Sequence, residues 1–241
     1  MTERKPGGDA IEKHYGDFYA RRNPDKVYPV EFVVRTFLGT YPGLRMDRSL
    51  YPGARILDLG FGDGRNMPLL ADLGFRVSGV EISDEICRLT EARMERLGVP
   101  VALKTGSNSS IPFEDGAFDF VLACHACYYV QPGETFADNL REISRVLRPG
   151  GRFVFSLAKA DSYILKDARA LPGGHFQITA DPYGVRNGTV FRAFASREEV
   201  AGEFGALFSD LALGLCENDW YGITEKVWIG TGVKKPLEQG G

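Results

Sequence analysis

The stretch that decides the fold of this chain is Arg55-Ile56-Leu57-Asp58-Leu59-Gly60-Phe61-Gly62-Asp63-Gly64. Residues 54–59 form a short apolar run that is typical of a buried strand, and residues 65–73 have helical spacing. Glycines between a strand and a helix allow a tight turn and a close approach of the backbone to a ligand. Because the N-terminus of the helix presents unpaired N–H groups, the stretch predicts an anion or cofactor site at a strand end.

Strands and helices alternate on the C-terminal side of this turn. Strands are predicted at residues 76–80, 101–105, 117–123 and 151–157, and helices at residues 84–97 and 136–147. This alternation indicates βαβ units. We therefore expect an α/β fold with a doubly wound, mainly parallel sheet and helices on both of its faces.

Two regions interrupt or precede this core, which spans residues 51–158 of a single domain, 1–241. Residues 1–50 contain two amphipathic segments, 10–20 and 30–38, which predict N-terminal helices. Residues 159–195 contain several turn signals. They are predicted to form an insertion after the fifth strand, with residues 175–179 and 189–194 paired as a hairpin.

The C-terminal region, residues 196–233, begins with the capping box Ser196-Arg197-Glu198-Glu199, which predicts a helix extending to Phe208. Strands predicted at residues 211–216 and 226–230 bring the expected total to seven. Residues 234–241 are predicted to be a flexible tail.

Composition narrows the possible partners. Lysine plus arginine total 29 and aspartate plus glutamate total 32, so the net charge is −3. A protein that binds a long polyanion usually has a basic excess, so no nucleic-acid partner is expected. No apolar run reaches the roughly 20 residues that span a bilayer, and the N-terminus lacks the apolar segment of a signal peptide. With four cysteines, too few for a disulfide scaffold, the chain is expected to be cytoplasmic, with no membrane partner. The sequence leaves its oligomeric state open.

Four segments resemble, in order and spacing, the signature segments of class I S-adenosylmethionine-dependent methyltransferases. They are Asp58-Leu59-Gly60-Phe61-Gly62-Asp63-Gly64, Val80-Glu81-Ile82-Ser83, and residues 111–119 and 145–151. The G-x-G-x-G spacing differs from the G-x-G-x-x-G of dinucleotide-binding folds. The resemblance covers roughly residues 54–157 and implies a Rossmann-like fold, an enzyme and S-adenosylmethionine as its cofactor.

The resemblance also implies that residues 1–50 form a helical lid over the cofactor and that residues 159–195 form a substrate cap. It further implies roles for individual residues. The glycine turn would lie against the methionine part of the cofactor with Asp58 supporting it, Glu81 would bind the ribose hydroxyls, and Ile82 would pack on the adenine. Where the family usually has an aspartate for the adenine amino group, this chain has Ser107 followed by Asn108, and the Asn108 amide is the predicted replacement. The predicted cofactor-binding residues are Asp58, Gly60, Phe61, Gly62, Gly64, Asn66, Glu81, Ile82, Ser107, Asn108, Ser109, Cys124, and Tyr15 and Tyr28 of the lid.

The catalytic candidates follow the fourth strand, whose end faces the methyl group in this fold. A base is needed only if the acceptor must lose a proton as it attacks, as a hydroxyl must. His125 is the predicted base or acceptor-positioning group, the alternative being a histidine that only packs beside the cofactor. Tyr128 is the second catalytic candidate. Cys124 and Cys127 lack a second ligand pair at zinc spacing, so no metal is expected.

Acceptor-binding and lid residues complete the predicted site. Acceptor contacts are predicted at Tyr129, beside the catalytic candidates, and at His175, Tyr183 and Arg186 of the insertion, since long loops in compact domains tend to be functional. Within the lid, Arg22 or Arg35 is predicted to pair with the methionine carboxylate.

Three classes of function remain open. A methyltransferase acting on a small-molecule hydroxyl, of a sugar or natural product, is favoured by the compact size, the insertion and the mildly acidic charge. An RNA or protein methyltransferase is the first alternative. However, Ala123-Cys124-His125-Ala126 does not match the Asn/Asp-Pro-Pro-aromatic tetrad of the branch that methylates nucleic-acid amines. The second alternative is a non-catalytic nucleotide-binding module of the same fold, because fold alone does not establish activity.

Overall fold

The computed structural model describes Tyr15, Asp17 and residues 26–236. The helices are α1 Glu31–Leu38, α2 Met67–Asp72, α3 Asp84–Arg96, α4 Phe136–Val146 and α5 Arg197–Phe204. The strands are β1 Arg55–Leu59, β2 Arg76–Glu81, β3 Val101–Thr105, β4 Phe118–Ala123, β5 Tyr129–Val130, β6 Leu147–Lys159, β7 Arg169–Leu171, β8 His175–Gln177, β9 Val190–Phe194, β10 Phe208–Trp220 and β11 Ile223–Lys234. Predicted segment 10–20 and Arg22 lie outside the described residues, apart from Tyr15 and Asp17.

The sheet is built around five parallel strands in the order β3-β2-β1-β4-β6. Strand β11 pairs antiparallel with β6, and β10 pairs antiparallel with β11. These seven strands lie where the sequence predicts strands, and the predicted mainly parallel α/β architecture is confirmed. The predicted total of seven strands is wrong. The sheet reaches eleven strands because β5 and the inserted β7 and β8 pair through β9, which joins the end of β6.

The two faces of the sheet carry separate apolar layers. Successive residues of a strand point to opposite faces, so Ile56 packs with residues of α1, α2 and α3, whereas Leu57 packs with residues of α4 and α5. Both side chains are fully buried. Each such burial contributes roughly 1.5–3 kcal/mol, and helices on both faces fix the sheet edge where the strands end.

The C-terminal region differs from its predicted bounds. The Ser196 hydroxyl accepts from the Glu199 N–H at 3.2 Å, which confirms the predicted cap. The predicted end of the helix at Phe208 is wrong, because the helix stops at Phe204 with Gly205 as its C-cap and Phe208 starts β10. Strands β10 and β11 are much longer than predicted, and their hairpin extends past the sheet.

The predicted flexible tail is wrong at its first residue. Lys234 belongs to β11, is 7% exposed, and donates from Nζ to the Leu147 carbonyl at 2.7 Å. Lys235 follows with an N–H bond to the Leu207 carbonyl at 3.0 Å. Residues 237–241 lie outside the described part of the chain. The predicted hairpin in the insertion is present as β8 and β9. No helix in the described ranges has the length and apolarity to cross a membrane.

Candidate functional site

The turn after β1 is held in shape by its glycines. Gly60, Gly62 and Gly64 have φ values of 68°, 56° and 71°, a region that side chains with a Cβ rarely adopt. A Cβ on Gly60 would lie 2.4 Å from the Cβ of Ala126, in the loop that follows β4. The glycines therefore let the β1 turn and the β4 loop meet at one point of the sheet edge.

Glu81, the last residue of β2, is fixed beside this turn. One carboxylate oxygen accepts from the Gly62 N–H at 3.2 Å and the other from the Ile82 N–H at 2.7 Å. Burial raises the pKa of Glu81, and the two backbone donors oppose that rise. The backbone thus orients the carboxylate, which also lines a cavity at this edge of the sheet.

Asp58 is a fully buried carboxyl whose two oxygens have no hydrogen-bond partner among the described residues. Burial raises its pKa to about 8, with further contributions from the nearby carboxylates of Glu81 and Asp63. A buried polar group without a partner is costly, so this carboxyl destabilises the ligand-free fold at the base of the glycine turn.

A cavity of about 770 Å³ opens at this sheet edge. Of the residues predicted from the sequence, it is lined by Gly60, Phe61, Asn66, Glu81, Ile82, Ser107, Asn108, Cys124, His125, Tyr128, Tyr129, Tyr15, Tyr183 and Arg186. The volume lies within the range of small-molecule sites, and a few polar groups among apolar walls are typical of them. One end is formed by the turns after β1 and β2, and the other by the insertion and the β10–β11 hairpin.

Asn108 is held in place by its amide donor. Its Nδ2 donates to the Ala126 carbonyl at 2.9 Å and to the Tyr129 carbonyl at 3.1 Å. The amide oxygen is consequently the group of Asn108 that remains to accept from a ligand. Ser107 and Ser109 contact each other through their hydroxyls at 3.2 Å, and Ser107 lines the cavity.

His125 sits in the loop that follows β4 with a strained backbone. Its φ is 54°, its N–H donates to the Ser156 hydroxyl at 2.8 Å, and its ring meets Phe32 edge-on at 5.9 Å. Non-glycine residues at positive φ often mark functional sites. Burial lowers the pKa of His125, Glu225 opposes that shift and Arg186 adds to it. A lowered pKa leaves the imidazole neutral near pH 7 and able to accept a proton.

Aromatic hydroxyls and one guanidinium form the wall opposite. The hydroxyls of Tyr15 and Tyr129 are 2.8 Å apart, and the rings of Tyr128 and Tyr129 stack with centroids 5.2 Å apart. Arg186 donates from Nη1 to the Tyr163 hydroxyl at 3.0 Å. Burial raises the pKa values of Tyr128 and Tyr129, so both hydroxyls stay protonated at neutral pH and can donate.

Several predicted residues do not reach the cavity wall. Tyr28 is 74% exposed, and the His175 Nδ1 lies 3.0 Å from the Pro172 carbonyl. Arg35 is exposed and pairs with Glu31 at 2.8 Å. The other predicted residues that do not line the cavity are Asp58, Gly62, Gly64 and Ser109, which lie next to residues that do.

Metal ligation has no support in the described ranges. All four cysteines there are free, and no cluster of three His, Cys, Asp or Glu side chains within those ranges has metal-binding geometry. Burial strongly raises the pKa values of Cys124 and Cys127, so neither thiol is a ready thiolate.

The long β10–β11 hairpin contributes lining residues that sequence reasoning missed. Trp220, Ile223 and Glu225, near its tip, all line the cavity, and so does Tyr163 of the insertion. The signal available in the sequence was Trp220-Tyr221-Gly222, where two adjacent aromatic residues precede a glycine.

The central region of the chain is similar to a family of known proteins. The family described as "Methyltransferase domain" matches residues 57–155. A sterol 4-C-methyltransferase of Caenorhabditis elegans is 32% identical over 110 residues, which cover 44% of this chain and 32% of that protein. The chain spans less than half the length of the first curated relatives it matches.

Solved structures share the fold. A SAM-dependent methyltransferase of Methanosarcina mazei superposes with a TM-score of 0.61 at 22% identity, over 82% of this chain and 99% of that one. The 1,6-didemethyltoxoflavin-N1-methyltransferase of Burkholderia thailandensis, solved with its substrate and S-adenosylhomocysteine, gives a TM-score of 0.56 at 19% identity, over 98% and 93% of the two chains.

Proposed function

We propose, from the match of residues 57–155 to the methyltransferase-domain family, that the chain is a class I S-adenosylmethionine-dependent methyltransferase and transfers a methyl group to a small-molecule hydroxyl of sugar or natural-product type. One observation carries the proposal. A single cavity connects the glycine turn and Glu81 at one end with a chamber lined by aromatic side chains and His125 at the other.

The cofactor end fits S-adenosylmethionine in its donors and acceptors. Glu81 presents an oriented carboxylate, which suits a ribose diol, and Ile82 supplies an apolar surface beside it. Asp58 holds two buried oxygens that lack donors. The amide oxygen of Asn108 suits an adenine amino group. Together these residues would hold the cofactor along the ends of β1, β2 and β3.

The chemical demand on the protein is small. When bound, the cofactor supplies a methyl group activated by its sulfonium, so the chain must align the acceptor, exclude water and remove a proton. His125 removes that proton, because a neutral imidazole in the cavity wall can accept it from the acceptor hydroxyl. Tyr128, protonated and adjacent, donates a hydrogen bond that positions the acceptor oxygen.

Enclosure comes from elements outside the parallel strands. Tyr15 closes on Tyr129 through their hydroxyls, the insertion adds Tyr183 and Arg186, and the hairpin adds Trp220. With an acceptor bound, these side chains would cover part of it and help to exclude water from the reacting centre. Such a chamber suits a small acceptor better than an RNA or a protein segment, which needs an open groove.

The relatives support an acceptor of this size. The toxoflavin-type methyltransferase, of the same fold, was solved with a small heterocycle in place, and the curated nematode relative is named for a sterol. A non-catalytic module of the same fold is the second candidate, and it predicts cofactor binding without turnover.

The proposal is tested by calorimetry followed by turnover. S-adenosylhomocysteine is expected to bind the purified protein, NAD is expected not to bind, and labelled methyl from S-adenosylmethionine is expected to appear on a hydroxylated acceptor in a screen. His125→Asn is the matched variant, because asparagine tolerates the positive φ of this position. Retained S-adenosylhomocysteine binding with lost turnover supports the base. Absence of S-adenosylhomocysteine binding refutes the proposal, and full turnover by the variant refutes the role of His125.

A further inference from the structure

Each described cation that lines the cavity has an acidic partner. The pairs are Arg65 with Asp63 at 2.6 Å, Arg186 with Asp181 at 3.3 Å, and Lys226 with Asp161 at 2.8 Å. Asp181 is also fixed, because its carboxylate accepts from the N–H groups of Val185 and Arg186 at 3.0 and 2.9 Å. The described cations of the cavity wall are therefore already engaged in ion pairs with carboxylates of the protein itself.

Glu225 differs from these groups. It lies in β11 beyond the point where Val227 pairs with Ala158 at the end of β6, and it lines the acceptor end of the cavity. Its carboxylate has no hydrogen bond or ion pair with the described residues. Its negative charge raises the pKa values of His125 and Tyr128. At His125 this effect opposes the larger effect of burial, and at Tyr128 it adds to the effect of burial.

The arrangement around Glu225 resembles a receptor for a cation. A carboxylate in the cavity wall that has no partner among the described residues is available to pair with a bound positive charge. The rings of Trp220, Tyr163 and Tyr128 line the same chamber, and aromatic faces attract cations. A neutral hydroxyl would offer Glu225 one hydrogen bond, whereas an ammonium offers three donors and the compensating charge.

We propose, on the basis of the function proposed above, that the acceptor carries a protonated amino group bound by Glu225 in addition to the hydroxyl that His125 deprotonates. The two side chains approach the chamber from either side of β6: His125 follows β4 and is bonded to Ser156 of β6, and Glu225 comes from β11. An amino alcohol, amino sugar or phenolic amine has this pair of groups.

The test uses two matched pairs of probes with the complex of the protein and S-adenosylhomocysteine. Tyramine is compared with tyrosol, and 6-amino-6-deoxyglucose with glucose, by calorimetry at neutral pH. At least one cationic member is expected to bind roughly tenfold or more tightly than its neutral counterpart, the size of a charge-assisted hydrogen bond. Glu225→Gln is expected to remove most of that preference while S-adenosylhomocysteine affinity stays unchanged.

Glu217→Gln is the matched control, because Glu217 lies on the same hairpin, is half exposed and does not line the cavity. It should keep the wild-type preference. Equal binding of cationic and neutral members, absence of binding by both cations, or a preference retained in Glu225→Gln would each overturn the proposal. These outcomes leave S-adenosylhomocysteine binding intact, so they are distinguishable from failure of the methyltransferase function, in which that binding itself is missing.

Discussion

Replacing Asp58 by asparagine should stabilise the ligand-free protein and weaken its hold on the cofactor. The carboxyl is fully buried without a partner among the described residues, and its pKa is raised from 3.8 to about 8, chiefly by burial. A group whose pKa is raised in the folded state has its full stability contribution below the unfolded pKa and loses it as pH rises. Asp58 therefore costs the ligand-free fold progressively more stability between about pH 4 and pH 8.

The magnitude follows from the size of the shift. One pKa unit corresponds to about 1.4 kcal/mol, so the rise from 3.8 to about 8 costs up to about 4 kcal/mol of unfolding free energy at pH 7. Asparagine has nearly the same shape and no charge, so its own contribution does not change with pH. The gap in stability between Asp58→Asn and the wild type should widen by about 3–4 kcal/mol from pH 5 to pH 8.

Urea unfolding of both proteins at pH 5, 6, 7 and 8, without ligand, measures this gap. Asp119→Asn is the control with the opposite sign. Although burial opposes the shift, hydrogen bonds from the Arg55 N–H at 2.8 Å and from Arg148 at 2.6 Å lower the pKa of Asp119. Its stabilisation is lost only in acid, so Asp119→Asn should run parallel to the wild type above pH 5. Parallel curves for Asp58→Asn as well would refute the reasoning. Asp58→Asn is also expected to bind S-adenosylhomocysteine more weakly than the wild type, so that it gains stability and loses cofactor affinity.

Three further substitutions probe the two ends of the cavity. Glu81→Gln should weaken S-adenosylhomocysteine binding roughly 10-fold to 100-fold in calorimetry, because the amide loses the charge that suits a ribose diol; unchanged affinity would contradict the assignment. Glu225→Gln should move the acidic limb of the kcat/KM profile to lower pH, because the Glu225 carboxylate raises the pKa of His125. An acidic limb that stays in place would show that the charge of Glu225 does not affect the catalytic base. Tyr15→Phe should raise the acceptor KM severalfold, as it removes the bond to Tyr129, worth about 0.5–1.5 kcal/mol; an unaltered KM would mean that this contact does not enclose the acceptor.

The cofactor end of the site was predictable because its signals are local. A strand, a glycine turn and a helix follow one another within residues 54–73, and Glu81 ends the next strand. Parallel strands bring their carboxyl ends to one sheet edge, so residues at those ends meet whatever the rest of the chain does. Asn108 is predicted from the resemblance as a contact for the adenine. The structure adds that its amide nitrogen already donates to the Ala126 carbonyl.

The acceptor end was predictable only in part because its signals are non-local. The hairpin strands were expected to be short, since polar residues such as Glu217 and Glu225 interrupt the apolar pattern. Strand pairing depends on backbone hydrogen bonds, which polar residues make equally well, and the tip lies beyond the apolar layers that produce alternation. Tyr28 and His175 lie in loops, and the residue type alone does not determine where a loop side chain points. The predicted contacts of these two residues with the cofactor and the acceptor therefore had no structural basis in the sequence.

The two ends of the cavity therefore come from different parts of the chain, which explains what the relatives share. Residues 57–155, the matched region, contain the glycine turn, Glu81, Asn108 and His125, and thus the cofactor end and the proposed base. The walls of the acceptor chamber come mostly from outside it: Tyr15, the insertion with Arg186, and the hairpin with Glu225. Acceptor selectivity should consequently change with substitutions in the insertion and the hairpin, while cofactor affinity follows the turns after β1 and β2.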